Sequence, residues 1–329
     1  MSPEIAAVDE LFPEVENLYA HPSVHRELLF DEERMQKYSE AIRRVVKKGD
    51  TVADIGTGLV ILAFMALDAG ADHVYAVEQN PTAIRWAKQV AIHNGFENAI
   101  TFFEGNSCQV ELPQKVGVLV SELIGHVAFE EGIIESLFDA RNRFLSPGGK
   151  IIPRSVQLKA ALVEEQEVFP GYIQVWRNLL ERAKSSTSLT VSDLQVLLID
   201  AFFEGDLIGR LPKHCYLKTF EEKEIMSQPQ TLFKVNFEEG EAPKSLETSL
   251  DFIPSRGGEI NGVALWFEAE LAPDIVLSTS PLSTSTHWKQ CFAPVLAPIP
   301  VDGKKPLLVK LQLKPGGKFP LSLEIKDED

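Results

Sequence analysis

The sequence is poor in cysteine and contains no long hydrophobic run. Its three cysteines, Cys108, Cys215 and Cys291, lie far apart, and their spacing fits neither a zinc site nor a disulfide scaffold. No stretch of about 18 apolar residues is present, so no membrane-spanning helix is predicted. The N-terminal residues are acidic where a signal peptide needs basic ones. We therefore expect a soluble cytoplasmic protein that has no structural metal ion and no membrane contact.

Basic residues are also few, because 32 lysines and arginines stand against 48 acids and give a formal charge of -16. Such a charge repels the phosphates of nucleic acids, so we expect no nucleic-acid partner. It would attract a cationic substrate, although acids that only keep a surface soluble explain it equally well. The length of 329 residues and the apolar content of 44% predict two folded domains or one large one.

The first half of the chain alternates between strand and helix patterns. Short apolar runs end at Gly56, Glu78, Glu104 and Glu122, and helical segments separate them. This alternation predicts a mostly parallel sheet with helices on its faces. Ligands bind outside the carboxyl ends of such strands, so these four residues should face one crevice. Residues 146–149, Ser-Pro-Gly-Gly, predict a turn that closes the last of these helices.

The second half of the chain has a different pattern, which begins after Pro153. Segments with alternating apolar residues predict the strands of an antiparallel, barrel-like domain: Ser155–Ala161, Thr231–Phe237, Val263–Ala269 and Leu307–Leu313. Between the first two, Tyr172–Phe203 carries apolar residues at helical spacing. This segment predicts a helical insertion, which could serve as an arm or a partner surface.

A glycine turn marks the first candidate site. In the segment VADIGTG a strand runs into Gly56 and Gly58, where no side chain keeps a ligand away from the backbone. Glu78 ends the next strand, 24 residues after Asp54, where an acid can accept both hydroxyls of a ribose. These features predict a nucleoside-containing cofactor, and a tight turn without a ligand is the alternative. Dinucleotides are disfavoured because Ile61 replaces the third glycine of their motif.

Two glutamates, Glu122 and Glu131, form the second candidate site. Gly125 lies between them and helps the chain to turn back, so a hairpin could aim both carboxylates at one point. Two such anions repel each other unless a cation lies between them. A planar guanidinium fits best, because it donates a fork of hydrogen bonds to each carboxylate. The alternative is that Glu130 and Glu131 are acids of a helix first turn, where the helix dipole favours them.

A histidine and a tryptophan form the third candidate site. In Thr286-His287-Trp288 they offer one titratable group and one flat apolar face, which suits the wall of a binding site. Alone this signal is weak, because a single histidine is more often a hydrogen-bonded structural group.

Together and in this order, the three motifs resemble those of the protein arginine methyltransferase family, from about Tyr19 to Leu313. The resemblance implies an α/β, Rossmann-like class I methyltransferase domain that is followed by an antiparallel β-barrel domain with a helical arm insertion. It also implies methyl transfer from S-adenosylmethionine to a guanidino nitrogen, with S-adenosylhomocysteine as the product. The implied boundaries are residues 1–50 for a helical segment that closes the cofactor site, 51–153 for the methyltransferase domain and 154–329 for the barrel, with the arm at about 171–205.

The resemblance also implies roles for individual residues. The cofactor would be bound by His25, Arg34, Asp54, Gly56, Gly58, Glu78, Ser107 and Cys108, with Arg34 on its carboxylate. The acceptor would be bound and activated by Glu122, Glu131, a pair of His287 with Asp31, and the rings of Tyr19 and Trp288. The implied partners are an arginine-containing protein or peptide and a second copy of the chain, since the arm implies a homodimer.

The sequence departs from the family pattern at several positions. Val60 stands at a glycine of the turn, Cys108 at an acid beside the adenine, and Leu123 at an aromatic position, and Tyr19 is all that remains of an N-terminal tyrosine motif. Three alternatives for the function stay open. The acceptor could be free arginine or another small guanidino compound, or the chain could be a methyltransferase-like scaffold that has lost turnover. The third is methylation of a group other than a guanidine, with the glutamates making other contacts.

Overall fold

The computed structural model describes residues 22–165, 216–313 and 322–327. Tyr19 and the predicted helical insertion at Tyr172–Phe203 lie outside the described residues. Within the described ranges, no helix has both the length and the apolar character that crossing a membrane would require.

Helices and strands alternate in the first part of the chain, and strands dominate the rest. The helices are α1 (Pro22–Phe30), α2 (Glu32–Val45), α3 (Ile61–Asp68), α4 (Pro81–His93) and α5 (Ile133–Phe144). The strands are β1 (Thr51–Ile55), β2 (His73–Glu78), β3 (Ile100–Glu104), β4 (Val116–Ser121), β5 (Leu145–Ile152), β6 (Ser155–Val163), β7 (Tyr216–Lys218), β8 (Gln230–Asn236), β9 (Leu246–Phe252), β10 (Gly257–Ala272), β11 (Ile275–Ser278), β12 (Gln290–Asp302), β13 (Leu307–Leu313) and β14 (Ser322–Asp327).

The first five strands form one parallel sheet in the order β3-β2-β1-β4-β5. Its central strand β1 is apolar apart from Thr51 and Asp54, and its residues from Val52 to Ile55 are buried. The order reverses between β1 and β4, and ligands bind outside the carboxyl ends of strands at such a point. The predicted parallel sheet is confirmed, and it places the glycine turn beside the glutamate hairpin.

Side-chain caps begin the two helices that lie next to the site. Asp31 accepts the N–H of Arg34 at 3.0 Å and begins α2, and Asn80 accepts the N–H groups of Thr82 and Ala83 and begins α4. These N–H groups have no partner inside their own helices, so each cap stabilises its helix start.

Helix α3 begins at a strained residue. Val60 precedes it with φ +60°, a left-handed conformation that is unfavourable for a β-branched side chain. The side chain is fully buried and packs in the core. Val60 therefore adopts a backbone conformation that favours glycine and directs its own side chain into the core.

The predicted turn at residues 146–149 is wrong as an element boundary, because β5 already begins at Leu145 and runs through it. Leu145 pairs with Val116 and Lys150 pairs with Val118, so the residues between form a bulge in the strand. Gly148 has φ +77° and absorbs the change of direction.

The strands after Pro153 are antiparallel and form two sheets. One has the order β7-β12-β10-β6-β8, with β11 on β10, and the other has the order β14-β13-β9. Strand β10 is central to the first sheet, since it pairs with both β6 and β12 and carries the buried Trp266 and Phe267. The predicted antiparallel second half is confirmed.

A buried ion cluster joins Glu165, which follows β6, to Lys218 of β7. The ammonium of Lys218 lies 2.7 Å from a carboxylate oxygen of Glu165 and 2.8 Å from one of Glu224. Glu165 has no exposed side-chain surface, and the side chain of Lys218 is 11% exposed. Because a carboxylate buried without its cation is costly, this cluster should stabilise the start of the antiparallel sheet.

We predict that Lys218→Met lowers the free energy of unfolding by about 3–5 kcal/mol, because it removes the cation that pairs with the buried carboxylate of Glu165 and with that of Glu224. Urea unfolding measures this value. The matched control is Lys223→Met, because Lys223 pairs with Glu221 at an exposed position. Equal unfolding midpoints for the two variants would contradict the role of the cluster.

Candidate active site

A cavity opens at the carboxyl ends of the parallel strands, where the strand order reverses. Its lining includes the glycine turn, the end of β2, the loop after β3, the glutamate hairpin and parts of α1 and α2. Of the four residues predicted to face one crevice, Gly56, Glu78 and Glu122 line the cavity. Glu104 is exposed and does not line it, because β3 is the edge strand, two strands from the reversal.

The glycine turn brings bare backbone to the cavity wall. Gly56 and Gly58 have φ +73° and +51°, and both line the cavity. A β-carbon on Gly56 would lie 2.7 Å from Cδ2 of Leu123, which packs over the turn. The positive φ and this close approach together require glycine at position 56.

Asp54 lies beneath the turn and does not line the cavity. One carboxylate oxygen accepts the hydroxyl of Thr57 at 2.5 Å. Burial raises the pKa of Asp54 to about 7, although the Thr57 hydroxyl lowers it. The acid predicted at the amino-acid end of the cofactor therefore lies behind the turn, where it supports the backbone.

Glu78 lines the cavity and connects two loops. Its carboxylate accepts the N–H of Gly58 at 2.9 Å and the N–H of Asn80 at 2.8 Å. These bonds fix the acid at the end of β2 beside the glycine turn, which is the position that ribose recognition requires.

The loop after β3 provides the polar distal wall. Ser107 lines the cavity, whereas Cys108 is exposed and does not. Burial, followed by the charge of Asp139, raises the pKa of the Cys108 thiol. Arg143 of α5 donates to the carbonyl groups of Ser107 and Val110 and holds the loop in place. The sequence shows no signal for this role of Arg143.

Helices α1 and α2 close the near side of the cavity with His25 and Arg34. Nε of Arg34 donates to Oε2 of Glu122 at 2.9 Å, and Nη2 of Arg34 lies 2.8 Å from the same oxygen. It also donates to the carbonyl of Leu28. Burial lowers the pKa of Arg34, but the charge of Glu122 raises it above its usual value. Arg34 therefore orients the first glutamate of the hairpin.

Glu122 and Glu131 line the same cavity. Oε1 of Glu122 accepts the N–H of Ile124 at 3.1 Å, so both of its oxygens are oriented by the protein. Helix α5 begins only at Ile133, after Gly132 in a left-handed conformation. The alternative that Glu130 and Glu131 are acids of a helix first turn is therefore wrong, because both precede the helix within the hairpin.

His287 and Asp31 form a close pair that does not line the cavity. Nδ1 of His287 lies 2.7 Å from Oδ2 of Asp31, and the backbone N–H of His287 donates to the same oxygen. Burial raises the pKa of Asp31, but the hydrogen bonds from His287 and from the Arg34 N–H outweigh it and hold the pKa below its usual value. The pair fastens the loop of His287 to the start of α2.

Trp288 is buried and packs behind the hairpin, away from the cavity wall that the sequence predicts for it. Its indole N–H donates to the carbonyl of Ile124 at 2.7 Å, and its own carbonyl lies 2.9 Å from Nδ1 of His126. Burial lowers the pKa of His126 to about 4, so this imidazole is neutral at physiological pH. The sequence analysis missed His126, although its position inside the hairpin motif was a usable signal.

The described residues contain no cluster of His, Cys, Asp or Glu that could hold a metal ion. The candidate site combines a glycine turn and an acid, which suit a nucleoside, with the two carboxylates of the hairpin.

The fold and cavity define the class of this protein, a Rossmann-like methyltransferase with a second, antiparallel domain. The family profile described as ribosomal protein L11 methyltransferase matches residues 38–167. A solved structure of Trypanosoma brucei, described as a PRMT1 enzyme-prozyme heterotetrameric complex with AdoHcy, superposes with a TM-score of 0.79. The superposition covers 94% of this chain and 95% of that chain at 21% identity, and it shows the fold.

The family is narrower than that class. A profile described as the arginine methyltransferase oligomerization subdomain matches residues 155–326, more than half of the chain. A probable protein arginine N-methyltransferase 6 of Arabidopsis thaliana is 29% identical and covers 86% of this chain and 71% of its own length. An arginine N(omega)-methyltransferase of Streptomyces achromogenes subsp. streptozoticus is 29% identical, and the match covers 88% of this chain and 76% of that protein. This chain belongs to the protein arginine methyltransferase family, as its motifs predict.

We predict that Asp54 makes the protein less stable as pH rises from about 4 to 7. Its pKa is about 7 in the folded state against 3.8 as its ordinary value, so the folded state binds the proton more tightly across this range. The stability gained from that proton is present at low pH and is lost as pH rises through 7, on the order of 4 kcal/mol.

Urea unfolding at a series of pH values tests this prediction. Asp54→Asn should remove the contribution of Asp54 and leave the smaller pH dependence that comes from Glu130, whose pKa burial also raises to about 7. Thr57→Val should move the contribution of Asp54 to higher pH, because it removes the hydroxyl that stabilises the charged form. A full pH dependence in Asp54→Asn would contradict the assignment.

Proposed function

We propose that this protein is an S-adenosylmethionine-dependent N-methyltransferase that acts on the guanidino group of arginine in a protein or peptide. One observation carries the proposal: Glu122 and Glu131 line the same cavity as the glycine turn and Glu78. Family membership supports it, because both glutamates of the hairpin motif are present in this chain.

The cavity fits the cofactor in its shape and its donors. Gly56 and Gly58 expose backbone where a side chain would obstruct a ligand, Glu78 offers a carboxylate to the ribose, and Ser107 lines the distal end. Arg34 is the only lysine or arginine among the described residues of this lining, and it can pair with the carboxylate of the amino-acid end. S-adenosylmethionine supplies an electrophilic methyl group on a sulfonium centre.

The two glutamates solve a chemical problem that the acceptor poses. A guanidinium is a poor nucleophile, because its lone pairs are delocalised and its charge is positive. Glu122 and Glu131 can hold that charge away from the attacking nitrogen and fix the nitrogen in an attacking geometry. Arg34 orients Glu122 through two contacts with its Oε2 atom. The other oxygen of Glu122, Oε1, lies on the side of the hairpin, where it accepts the N–H of Ile124.

A proton must leave the nitrogen around methyl transfer. Glu131 lines the cavity, whereas the pair of His287 and Asp31 lies behind Arg34 and outside the lining. Glu131 is therefore the better placed acceptor, because a general base must reach the proton that it takes.

We predict that Glu122→Gln reduces kcat by roughly 100-fold or more, because the neutral amide cannot balance the charge of the guanidinium. Cofactor affinity, measured by calorimetry with S-adenosylhomocysteine, should change less than about threefold, because the amide preserves the shape of the side chain. The control is Glu104→Gln at an exposed strand end outside the cavity, which should retain full activity. Near wild-type turnover in Glu122→Gln would exclude the guanidinium clamp.

A second acceptor deserves a test, because one relative at 29% identity carries the name arginine N(omega)-methyltransferase, without the word protein. Purified protein with labelled S-adenosylmethionine should be offered free arginine and arginine-rich peptides in parallel, with products identified by mass spectrometry. We expect the peptides to be methylated with the higher kcat/KM. Exclusive methylation of free arginine would assign the smaller substrate, and no methylation of either would favour the scaffold alternative.

We also propose that the protein forms a homodimer through an apolar groove between α1 and α4. The groove is lined by Leu29, Phe30, Trp86 and Val90, and it adjoins the cofactor cavity through Leu29. Phe30 is 78% exposed, which is unusual for so large an apolar side chain. The match to an oligomerization subdomain supports a second copy of this chain as the occupant.

We predict that Phe30→Glu converts the dimer into monomers, because it places a charge in the apolar contact. Light scattering coupled to size exclusion measures the mass. Leu282→Glu is the matched control, since Leu282 is 67% exposed on the antiparallel domain and lies outside the groove. A Phe30→Glu variant that keeps the mass of the wild type would contradict this interface.

A further inference from the structure

A third glutamate of the hairpin, Glu130, points inward between the two that line the cavity. A β-carbon on Gly125 would overlap the carboxyl carbon and both carboxyl oxygens of Glu130. The carboxyl group therefore rests directly on the backbone of Gly125. This position has no positive φ, so the contact with Glu130 is what requires glycine there.

The carboxyl group of Glu130 is bonded to the turn that it fills. Oε1 accepts the N–H of Val127 at 2.9 Å. Oε2 is buried and meets no partner at hydrogen-bond distance among the described residues. Burial raises the pKa of Glu130 to about 7, although N–H groups of the turn, with Val127 first, lower it. A neutral side chain of the same shape, such as glutamine, is therefore compatible with this buried position.

The turn needs such support, because its backbone is strained. Ala128 has φ +74°, a conformation that is unfavourable for a residue other than glycine. The turn is closed by a bridge between Gly125 and Ala128. The hydrogen bond from Val127 to Glu130 ties this strained tip to the residue that immediately precedes Glu131.

We infer that Glu130 is a positioning residue that sets the distance and direction between the carboxylates of Glu122 and Glu131. It lies inside the hairpin, on Gly125 and Val127, while Glu131 follows it directly and lines the cavity. It touches neither the cofactor nor the acceptor, because it does not line the cavity. This inference rests on the proposed function, since it concerns how the clamp holds a guanidinium.

Calorimetry on the protein saturated with S-adenosylhomocysteine tests the inference, with an arginine-rich peptide as the titrant. We expect Glu130→Ala to weaken peptide binding at least tenfold, while the affinity for S-adenosylhomocysteine itself changes less than threefold. Glu130→Gln should restore peptide binding to within threefold of the wild type, because it keeps the acceptor for Val127 and fits the same space. Glu97→Ala, which removes the same charge at an exposed loop, is the control.

Gly125→Ala provides a second, independent variant. Its methyl group would displace the carboxyl of Glu130, so alone it should weaken peptide binding as Glu130→Ala does. In the Glu130→Ala background the space is already empty, and the same substitution should change peptide binding less than threefold. Such non-additivity measures the contact between the two positions.

The outcomes separate this inference from the function on which it rests. If the wild type binds the peptide and the Glu130→Ala variant binds it equally well, the inference alone is overturned. Additive effects of Gly125→Ala and Glu130→Ala would also overturn it, as would loss of S-adenosylhomocysteine binding in Glu130→Gln. A wild-type protein that binds S-adenosylhomocysteine but no arginine compound would overturn the proposed function and the inference with it.

Discussion

A buried ion pair between Arg34 and Glu122 connects the N-terminal helices to the glutamate hairpin, and the rest of the site depends on it. The partners are 88 residues apart in the chain, and their side chains are 9% and 8% exposed. Separating them would leave a buried charge without a partner, which costs several kcal/mol. Asp31 extends the same constraint, because it caps α2 ahead of Arg34 and binds His287 from the antiparallel part of the chain. One turn of helix thus joins three distant segments of sequence.

Two loops of the site are each built around an acid that faces inward. Asp54 lies beneath the glycine turn, and Glu130 lies within the glutamate hairpin. Burial raises the pKa of both carboxyls to about 7. A buried carboxyl of this kind can accept hydrogen bonds from the backbone of its loop while it carries less negative charge than an exposed acid. The acids that line the cavity itself are Glu78, Glu122 and Glu131, and Arg34 pairs with the second of them.

Sequence periodicity predicted the parallel sheet well, because its strands are short, apolar and bounded by glycine or acids. Strands β2 and β3 end at Glu78 and Glu104, where the apolar runs of the sequence end. The bulge in β5 was not predictable, because Ser-Pro-Gly-Gly reads as a turn and only the pairing with β4 shows otherwise. Glu104 failed as a crevice residue for a similar reason, since strand order is a property of the folded sheet.

Motif spacing identified the loops of the site but not the side of a loop that each side chain takes. Gly56, Gly58, Glu78, Glu122 and Glu131 line the cavity, whereas Asp54, Cys108 and Trp288 come from the same motifs and do not. Packing decides this difference, because a polar side chain that finds partners behind its loop no longer faces the ligand. The role of Arg143 stayed hidden because its partners in the loop after β3 are backbone carbonyl groups, which leave no trace in a sequence.

All described residues that line the cavity fall between His25 and Ser136, yet the hairpin among them is held by Trp288 from the antiparallel half. Recognition of the nucleoside and orientation of the acceptor are therefore separable in the chain. Grafting the parallel-sheet half of the chain onto another protein would transfer recognition of the nucleoside without orientation of the acceptor. A change of acceptor during evolution would accordingly leave its substitutions in both halves, including positions in the antiparallel sheets that no ligand ever touches.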